Sequence, residues 1–483
     1  MGVVRQAALR GVLHAIAIAL SLATGIVIAR RLTPLHYAAY QMVVKRTALF
    51  SSALCTIMGF WAYRYAAMGV RGAVRDYLKI VVLNAVLAMF VALGLGIYMG
   101  LSNASLLSLA CIAGGLTVAF GGLNRVIVAV RAVYSELVVA IRRLVYALLV
   151  IALIYLATLE VWGAFIAVIA SLCLGIALQI RGVWRLVQER PERSLVREWA
   201  RSIHIPVLMW VAGFVASMDA LLVAYLGGGY AAAEFFVSVA LLSMVMEVIN
   251  VASMHIAAYT LRTMDIAGGV RVSRIAILIA ALVCGYAAAR PAPLIALMNP
   301  LYISASTALS VYAIGAVLRM GMTPIWSSLV GSVRDLATSP SRRLVAISVA
   351  NAVTSAIYIA LIPLIAALSR LGVVVSWAVA YLVYGVASVI AAYIVGDELL
   401  RGMIVRKVVP RMVLFTAIAF SVAYTLTPSG FSRSFFSDAL TVIEGLSISS
   451  AIYTPIVLAI DREMRHLVKE FVERVRRAPL AWV

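Results

Sequence analysis

The sequence predicts an all-α polytopic membrane protein of about fourteen transmembrane helices, arranged as two parallel-repeat six-helix lobes plus a C-terminal helix pair, with both termini cytoplasmic. Three observations carry this prediction. Of the 483 residues, 64% are apolar and only 12% are charged, and the mean hydropathy of +1.06 lies far above that of a soluble chain. The apolar residues gather into runs of about 18 or more, the length a helix needs to cross a bilayer. The cations between those runs sort to one side.

Taken in order, the runs lie near residues 11–29, 38–62, 79–100, 105–124, 144–158, 162–180, 203–226 and 232–258, then 272–289, 303–326, 344–367, 373–395, 411–427 and 439–460. Alternating the connections across the membrane places all but seven of the 40 Lys and Arg on one face. The seven are Arg30, Arg31, Lys45, Arg46, Arg290, Arg370 and Arg433. By the positive-inside rule the cation-rich face is cytoplasmic, and an odd number of spans would break the sorting. The net charge of +21 thus reports membrane topology, and no nucleic-acid partner is implied. Arg5 and Arg10 before an apolar run imitate a secretory signal, but that run exceeds a typical signal core and thirteen more follow. It reads as a retained first helix of a multi-pass cell-membrane protein.

The longest cytoplasmic connection, 181–201, mixes Trp184, Leu186, Val187, Leu195, Val196 and Trp199 with charges and is interrupted by Pro191. It reads as an interfacial amphipathic segment. The chain divides accordingly into an N-lobe at 1–185 (spans one to six), a linker at 186–202, a C-lobe at 203–400 (spans seven to twelve), and accessory spans with a basic tail at 401–483. An internal echo supports the division: IVIARRLTPLHYAAY near the end of span one and LLVAYLGGGYAAAE near the end of span seven each run from aliphatic residues through a Pro or Gly turn into Tyr-Ala-Ala. Both spans begin on the same side, so the repeat is parallel. Cys55, Cys111, Cys173 and Cys284 all lie in apolar runs without metal-type spacing and read as packed residues. No cofactor and no metal site is expected, and no Walker A sequence is present.

Charges inside the runs are the candidates for function, because a cation near mid-membrane faces a partner, a polar cavity or a pathway. Arg30 and Arg31 close the first run, while Lys45 and Arg46 lie inside the second. Arg64 stands eighteen residues after Arg46, five helical turns along the same face and about 27 Å away; it either guards a mouth or snorkels to the cytoplasmic surface. Asp219, Glu247 and Asn250 are the polar residues of spans seven and eight, with Ser243, Glu247 and Asn250 at i, i+4, i+7 on one face. Binding a coupling cation, partnering the cations of the first spans and latching two helices all remain open for them. His14 and His255 are either titrating groups or packed ones. Arg125, Arg131, Arg142, Arg143 and Arg319 fall near cytoplasmic run ends, where anionic lipid headgroups account for them. Glu444 has no assigned role.

The stretch TGIVIARRLTPLHYAAY (residues 24–40) resembles the first-loop signature of the polysaccharide-flippase branch of the multidrug/oligosaccharidyl-lipid/polysaccharide (MOP) superfamily. SMDALLVAYLGGGY around Asp219 and PAPLIALMNPLYISA at 291–305 are similar to two further segments of that branch, although Thr33 and Ala38 stand where Gly is common. The resemblance implies an alternating-access flippase, not an enzyme, that carries a lipid-linked saccharide headgroup to the outer leaflet for polysaccharide or glycoprotein biosynthesis. Such a substrate carries a phosphate or pyrophosphate, for which Lys45, Arg46, Arg30, Arg31 and Arg64 are the candidate partners, since guanidinium offers bidentate donors. Membrane lipids, a coupling ion, and glycosyltransferases or an oligosaccharyltransferase are the implied partners. Two alternatives remain: a cation-gradient-driven multidrug-type exporter of the same superfamily, and a membrane glycosyltransferase or scaffold in a glycan-assembly complex. The latter class resembles one another in an acidic motif in an early outer loop, and the loop from Arg30 to Tyr37 contains no acid.

Overall fold

Apolar runs that lack water to satisfy their backbone groups fold as helices. The computed structural model describes residues 3–51, 53–67, 69–189, 195–201, 203–263, 266–332 and 342–477, and no strand occurs among them. Eleven helices among the described residues are long and apolar enough to cross a membrane, which makes this a multi-pass membrane protein. The sequence count of fourteen exceeds that number for identifiable reasons. Trp210–Asn250 is one stretch of 41 residues whose backbone turns at Gly228 (φ 75°), so it takes in two expected spans. The first two expected spans are not among the eleven; the second runs as continuous helix with a π-helical turn over Pro34–Ser51 and again as helix over Ala53–Ala67, with residue 52 outside the described residues.

The chain packs as two compact units, Gln6–Phe236 and Val237–Val483, the latter with Met1–Arg5. The first holds α1 (Val3–Arg31), α2 (Pro34–Gln41), a π-helical turn at Met42–Arg46, α3 (Thr47–Ser51), α4 (Ala53–Ala67), α5 (Ala73–Tyr98), α6 (Ala104–Val150), a second π-helical stretch at Ile151–Leu156, α7 (Glu160–Gln188), α8 (Leu195–Arg201), α9 (His204–Ala216) and the start of α10 (Asp219–Thr263). Helix α6 is two helices joined at a kink at Arg131, so it supplies two spans. Helices α5, α6 and α7 pack on one another through small residues, the usual solution where lipid gives no hydrophobic drive. A Cβ at Gly114 would lie 2.4 Å from Ala92 Cβ and 3.0 Å from Thr47 Cγ2.

The amphipathic linker is not simply laid on a surface. Helix α8 buries Leu195 and Trp199, Trp199 meets the Tyr65 ring edge-on at 5.9 Å, and the Leu195 amide donates to the buried Asp76 carboxylate at 3.4 Å. Trp184 is exposed, while Pro191 lies outside the described residues.

The second unit holds the rest of α10, then α11 (Ile266–Ala289), α12 (Pro291–Met298), a 3-10 turn at Pro300–Ala305, α13 (Ser306–Gly331), α14 (Arg342–Leu368), α15 (Val373–Val395), α16 (Glu398–Met403), a π-helical turn at Ile404–Val408, α17 (Val409–Leu426), α18 (Phe435–Ile460) and α19 (Arg462–Arg477). Helices α13 and α15 approach backbone to backbone. A Cβ at Gly315 would lie 2.8 Å from Leu382 Cα, and one at Gly385 would lie 3.0 Å from the Gly315 carbonyl oxygen.

Asp461 caps α19 by accepting from the Met464 amide at 3.0 Å and binds Arg411, whose Nη2 donates to its Oδ1 at 3.1 Å. Glu463 accepts from Arg274, from Lys407 at 3.1 Å and from Arg411 at 3.0 Å. Burial raises the Asp461 pKa, but hydrogen bonds from Arg411 and Met464 overcome that and hold it below the usual carboxylate range. The bond from Lys407, aided by the charges of Arg274 and Arg411, likewise lowers Glu463.

Two predictions follow from this packing. Gly315→Val forces α13 off α15 and lowers stability by about 1–3 kcal/mol, whereas Gly121→Ala, which meets nothing within 4 Å, is nearly neutral; thermal unfolding in detergent distinguishes them. Carboxylates held low in the folded state contribute stability that is present above their unfolded values of about 4 and is lost only as pH falls through the lower folded values. A fluorophore on α19 therefore reports a docked helix down to pH about 4 and its release below that. Asp461→Asn, which removes the charge partner of Arg411, loosens α19 already at neutral pH.

Candidate functional site

The turn between the first two helices is built by local chemistry. Helix α1 ends in Arg30 and Arg31, Thr33 caps α2 by accepting from the His36 amide at 3.3 Å, and Pro34 occupies the first turn, where its missing N–H removes nothing. Tyr37, Ala38, Ala39 and Tyr40 are all buried. Tyr40 shares a hydroxyl hydrogen bond with Tyr146 and meets Phe165 edge-on at 5.3 Å. With α2 anchored and Thr47 fully buried, the intervening turn is held at both ends. It winds as a π-helix over Met42–Arg46, a widened turn that recurs at functional sites.

The widened turn delivers Arg46 inward. Its side chain is 12% exposed, and Nη2 lies 3.1 Å from Asp219 Oδ1, itself 11% exposed. Asp219 opens α10 and accepts from the Ala220 amide at 2.7 Å, so the helix N-terminus also favours its charge. The rings of Phe235 and Phe236 stand 5.3 Å and 5.9 Å from the guanidinium carbon. Arg46 Nε is buried with no hydrogen-bond acceptor. The site is a guanidinium held by one carboxylate and two aromatic faces, with a donor left over.

The other expected residues are dispersed. Lys45 is exposed beside Arg46. Arg30 is half-buried, and Arg31 is exposed with its guanidinium 4.3 Å over the Tyr155 ring. The side chains of Arg64 and His255 fall outside the described residues. Asp219 lies in the same unit as Arg46, while Glu247 and Asn250 belong to the other; there Glu247 is half-buried and Asn250 exposed on α10. His14 Nδ1 lies 3.4 Å from Glu136 Oε2, a pairing that sequence spacing does not announce. Cys55 and Cys284 are buried, whereas Cys173 is exposed, and no group of three or more potential metal ligands occurs among the described residues. Glu444 is exposed on α18.

Arg319 lies in the interior of its helix. Assigned from sequence to a cytoplasmic end, it stands thirteen residues past Ser306 and twelve short of Gly331 in the 26-residue α13. Helix α13 runs on beyond the apolar run at 303–326. Five residues on, Pro324 interrupts the backbone ladder of α13, the one signal in the sequence that marked this stretch as unusual.

Three solved structures show what the architecture is similar to. The crystal structure of MATE in complex with MaL6 superposes with a TM-score of 0.58 at 13% identity, covering 83% of this chain and 95% of that one. The inward-facing conformation of a multidrug resistance MATE family transporter of the MOP superfamily gives 0.55 at 14% identity, covering 82% and 99%. A MOP superfamily transporter from Pyrococcus furiosus, described as having a binding pocket of reverse polarity that suggests a different function, gives 0.55 at 15% identity, covering 84% and 96%. No protein-family model matches the chain, and no curated protein matches it. The fold is therefore of the MATE type.

Removing one partner of a buried ion pair leaves the other charge stranded, at a cost of about 3–5 kcal/mol. Asp219→Leu accordingly destabilises the protein by that order, while Asp219→Leu combined with Arg46→Met recovers most of the loss. Chemical denaturation in detergent micelles measures both, and a single variant as stable as wild type would show the pair to be solvated.

Proposed function

We propose that the protein is an alternating-access flippase that translocates a lipid-linked saccharide through its phosphate or pyrophosphate, from the cytoplasmic to the outer leaflet. The observation that carries this reading is the buried Arg46, held by Asp219 yet keeping a buried Nε without an acceptor. A pair of this kind exchanges. An incoming phosphate takes the place of the Asp219 carboxylate and satisfies the idle donor, since charge-assisted bonds to phosphate are among the strongest available to guanidinium. The displaced carboxylate then takes up a proton or a metal cation, which links headgroup binding to a coupling ion. Lys45, exposed one position before Arg46, adds a second cation at the same level, and Arg30, Arg31 and Arg64 are the further candidate partners of the headgroup.

The reading takes the chain as fourteen spans, with α1 and the second helix crossing as well, both termini cytoplasmic, lobes at 1–185 and 203–400, a linker at 186–202, and accessory spans at 401–483. Glycosyltransferases or an oligosaccharyltransferase are the partners that would supply and consume such a substrate. The MATE-type fold and the description of a reverse-polarity pocket in the Pyrococcus furiosus transporter support a transporter whose binding charge differs from that of multidrug exporters. Multidrug-type export is favoured by one observation of its own, the half-buried Glu247 on α10, a carboxylate suited to cationic cargo.

Reconstitution in liposomes with a labelled polyprenyl-pyrophosphate saccharide tests the proposal. Lys45→Ala combined with Arg46→Ala abolishes headgroup translocation, while Asp219→Asn retains it and loses its dependence on the coupling ion. Wild-type translocation by the double variant, or extrusion of organic cations instead of the lipid, would overturn it.

A further inference from the structure

Arg319 lies about 5 Å along the helix from the midpoint of the Pro300–Gly331 span, and it is half-buried. A cation in the interior of an apolar spanning helix normally pairs with a carboxylate or faces a polar route. Among the described residues it has no carboxylate partner. Its Nη1 donates to Ser388 Oγ at 3.0 Å, and its guanidinium carbon stands 4.2 Å over the Tyr384 ring. Guanidinium carries five N–H donors, so most of the fork is unused.

The surroundings hold this arrangement firmly. Gly315, one turn before Arg319, brings α13 against the α15 backbone at Leu382, which sets Arg319 opposite Tyr384 and Ser388 on the same helix. The Tyr384 ring stacks on Tyr358 at 4.8 Å, and its hydroxyl shares a 3.2 Å hydrogen bond with Ser355. Trp326 Nε1 donates to the same Ser388 oxygen at 3.0 Å, so both lone pairs of that hydroxyl are taken and it has no further acceptor to offer the guanidinium. A ring face offsets part of the charge by its quadrupole, but it accepts no bidentate hydrogen bond.

We propose that Arg319, framed by Tyr384 and Ser388, is a binding site for an oxyanion of the phosphate type in the Val237–Val483 unit. It would engage the phosphoryl group of the transported headgroup, an assignment that rests on the flippase reading for its lipid source. Arg46 is neutralised by an internal carboxylate and must be released before it binds an anion. Arg319 is already uncompensated and needs only the anion. The site therefore receives the headgroup without prior exchange of an ion pair.

The test uses the full chain in nanodiscs of neutral lipid, titrated separately with inorganic pyrophosphate and with a polyprenyl phosphate, and read by thermal shift. Both probes raise the Tm of wild type. Arg319→Met weakens both responses by about tenfold or more, and Arg319→Lys weakens them less. Without ligand, Arg319→Met melts at or above the wild-type temperature, because it removes an unanswered charge, so lost binding is separated from lost folding. Undiminished binding of both probes by Arg319→Met overturns the site, and leaves the flippase reading standing if Lys45→Ala/Arg46→Ala still loses translocation. Binding of pyrophosphate through Arg319 without binding of polyprenyl phosphate keeps the site and overturns the lipid-linked source. Failure of wild type to bind either probe overturns both.

Discussion

A guanidinium cannot shed its proton and cannot stay unanswered in hydrocarbon, and much of the internal geometry follows from how each buried arginine is answered. Arg46 is answered by the carboxylate of Asp219. Arg274, buried in α11, is answered by Glu463 from the start of α19, and Arg411 by Asp461 and Glu463 together. Arg319 has a tyrosine face and a serine oxygen. The answers grade from full charge neutralisation to none, and that grade separates residues that hold the fold from residues with capacity to spare for a ligand.

The backbone is irregular where these charges enter. Two of the π-helical turns carry a basic pair, Lys45 and Arg46 in one and Arg406 and Lys407 in the other. The third, Ile151–Leu156, supplies the Tyr155 ring beneath Arg31. A π-turn inserts an extra residue per turn and so rotates everything after it relative to a regular helix. At Arg46 the widened turn ends in an inward-directed guanidinium, while its neighbour Lys45 stays exposed. At Arg319 the corresponding disturbance is Pro324, and the Thr323 hydroxyl donates to the Arg319 carbonyl at 2.8 Å.

Hydropathy made the spanning helices legible, because each long apolar run has only one way to satisfy its backbone in lipid. The turn at Pro34 was legible too, read as an aliphatic run that ends and restarts at Tyr-Ala-Ala, although the helix restarts three residues earlier, at Pro34 with Thr33 as its cap. What the sequence concealed were events that depend on tertiary contact. The π-helical turn in the second helix and the turn at Gly228 depend on neighbours, and hydropathy averages across them. Arg46 and Asp219 were each conspicuous as charges in apolar runs, yet their pairing joins residues 173 positions apart, beyond any local spacing rule.

The MATE-type fold does not by itself specify the sign of the cargo. That sign depends on which buried charges lack internal partners, since a charge already paired must first break its pair before it can bind. In the Gln6–Phe236 unit the paired arrangement of Arg46 and Asp219 is electrically neutral, so under the proposed function it responds to an anion only by exchange, which ties binding to whatever then occupies Asp219. In the Val237–Val483 unit the proposed site at Arg319 has no such requirement. On that proposal one unit holds a site whose occupancy is conditional on an ion and the other a site whose occupancy is not: the first suits coupling, which trades one ligand for another, and the second suits capture, which needs a site that is ready beforehand.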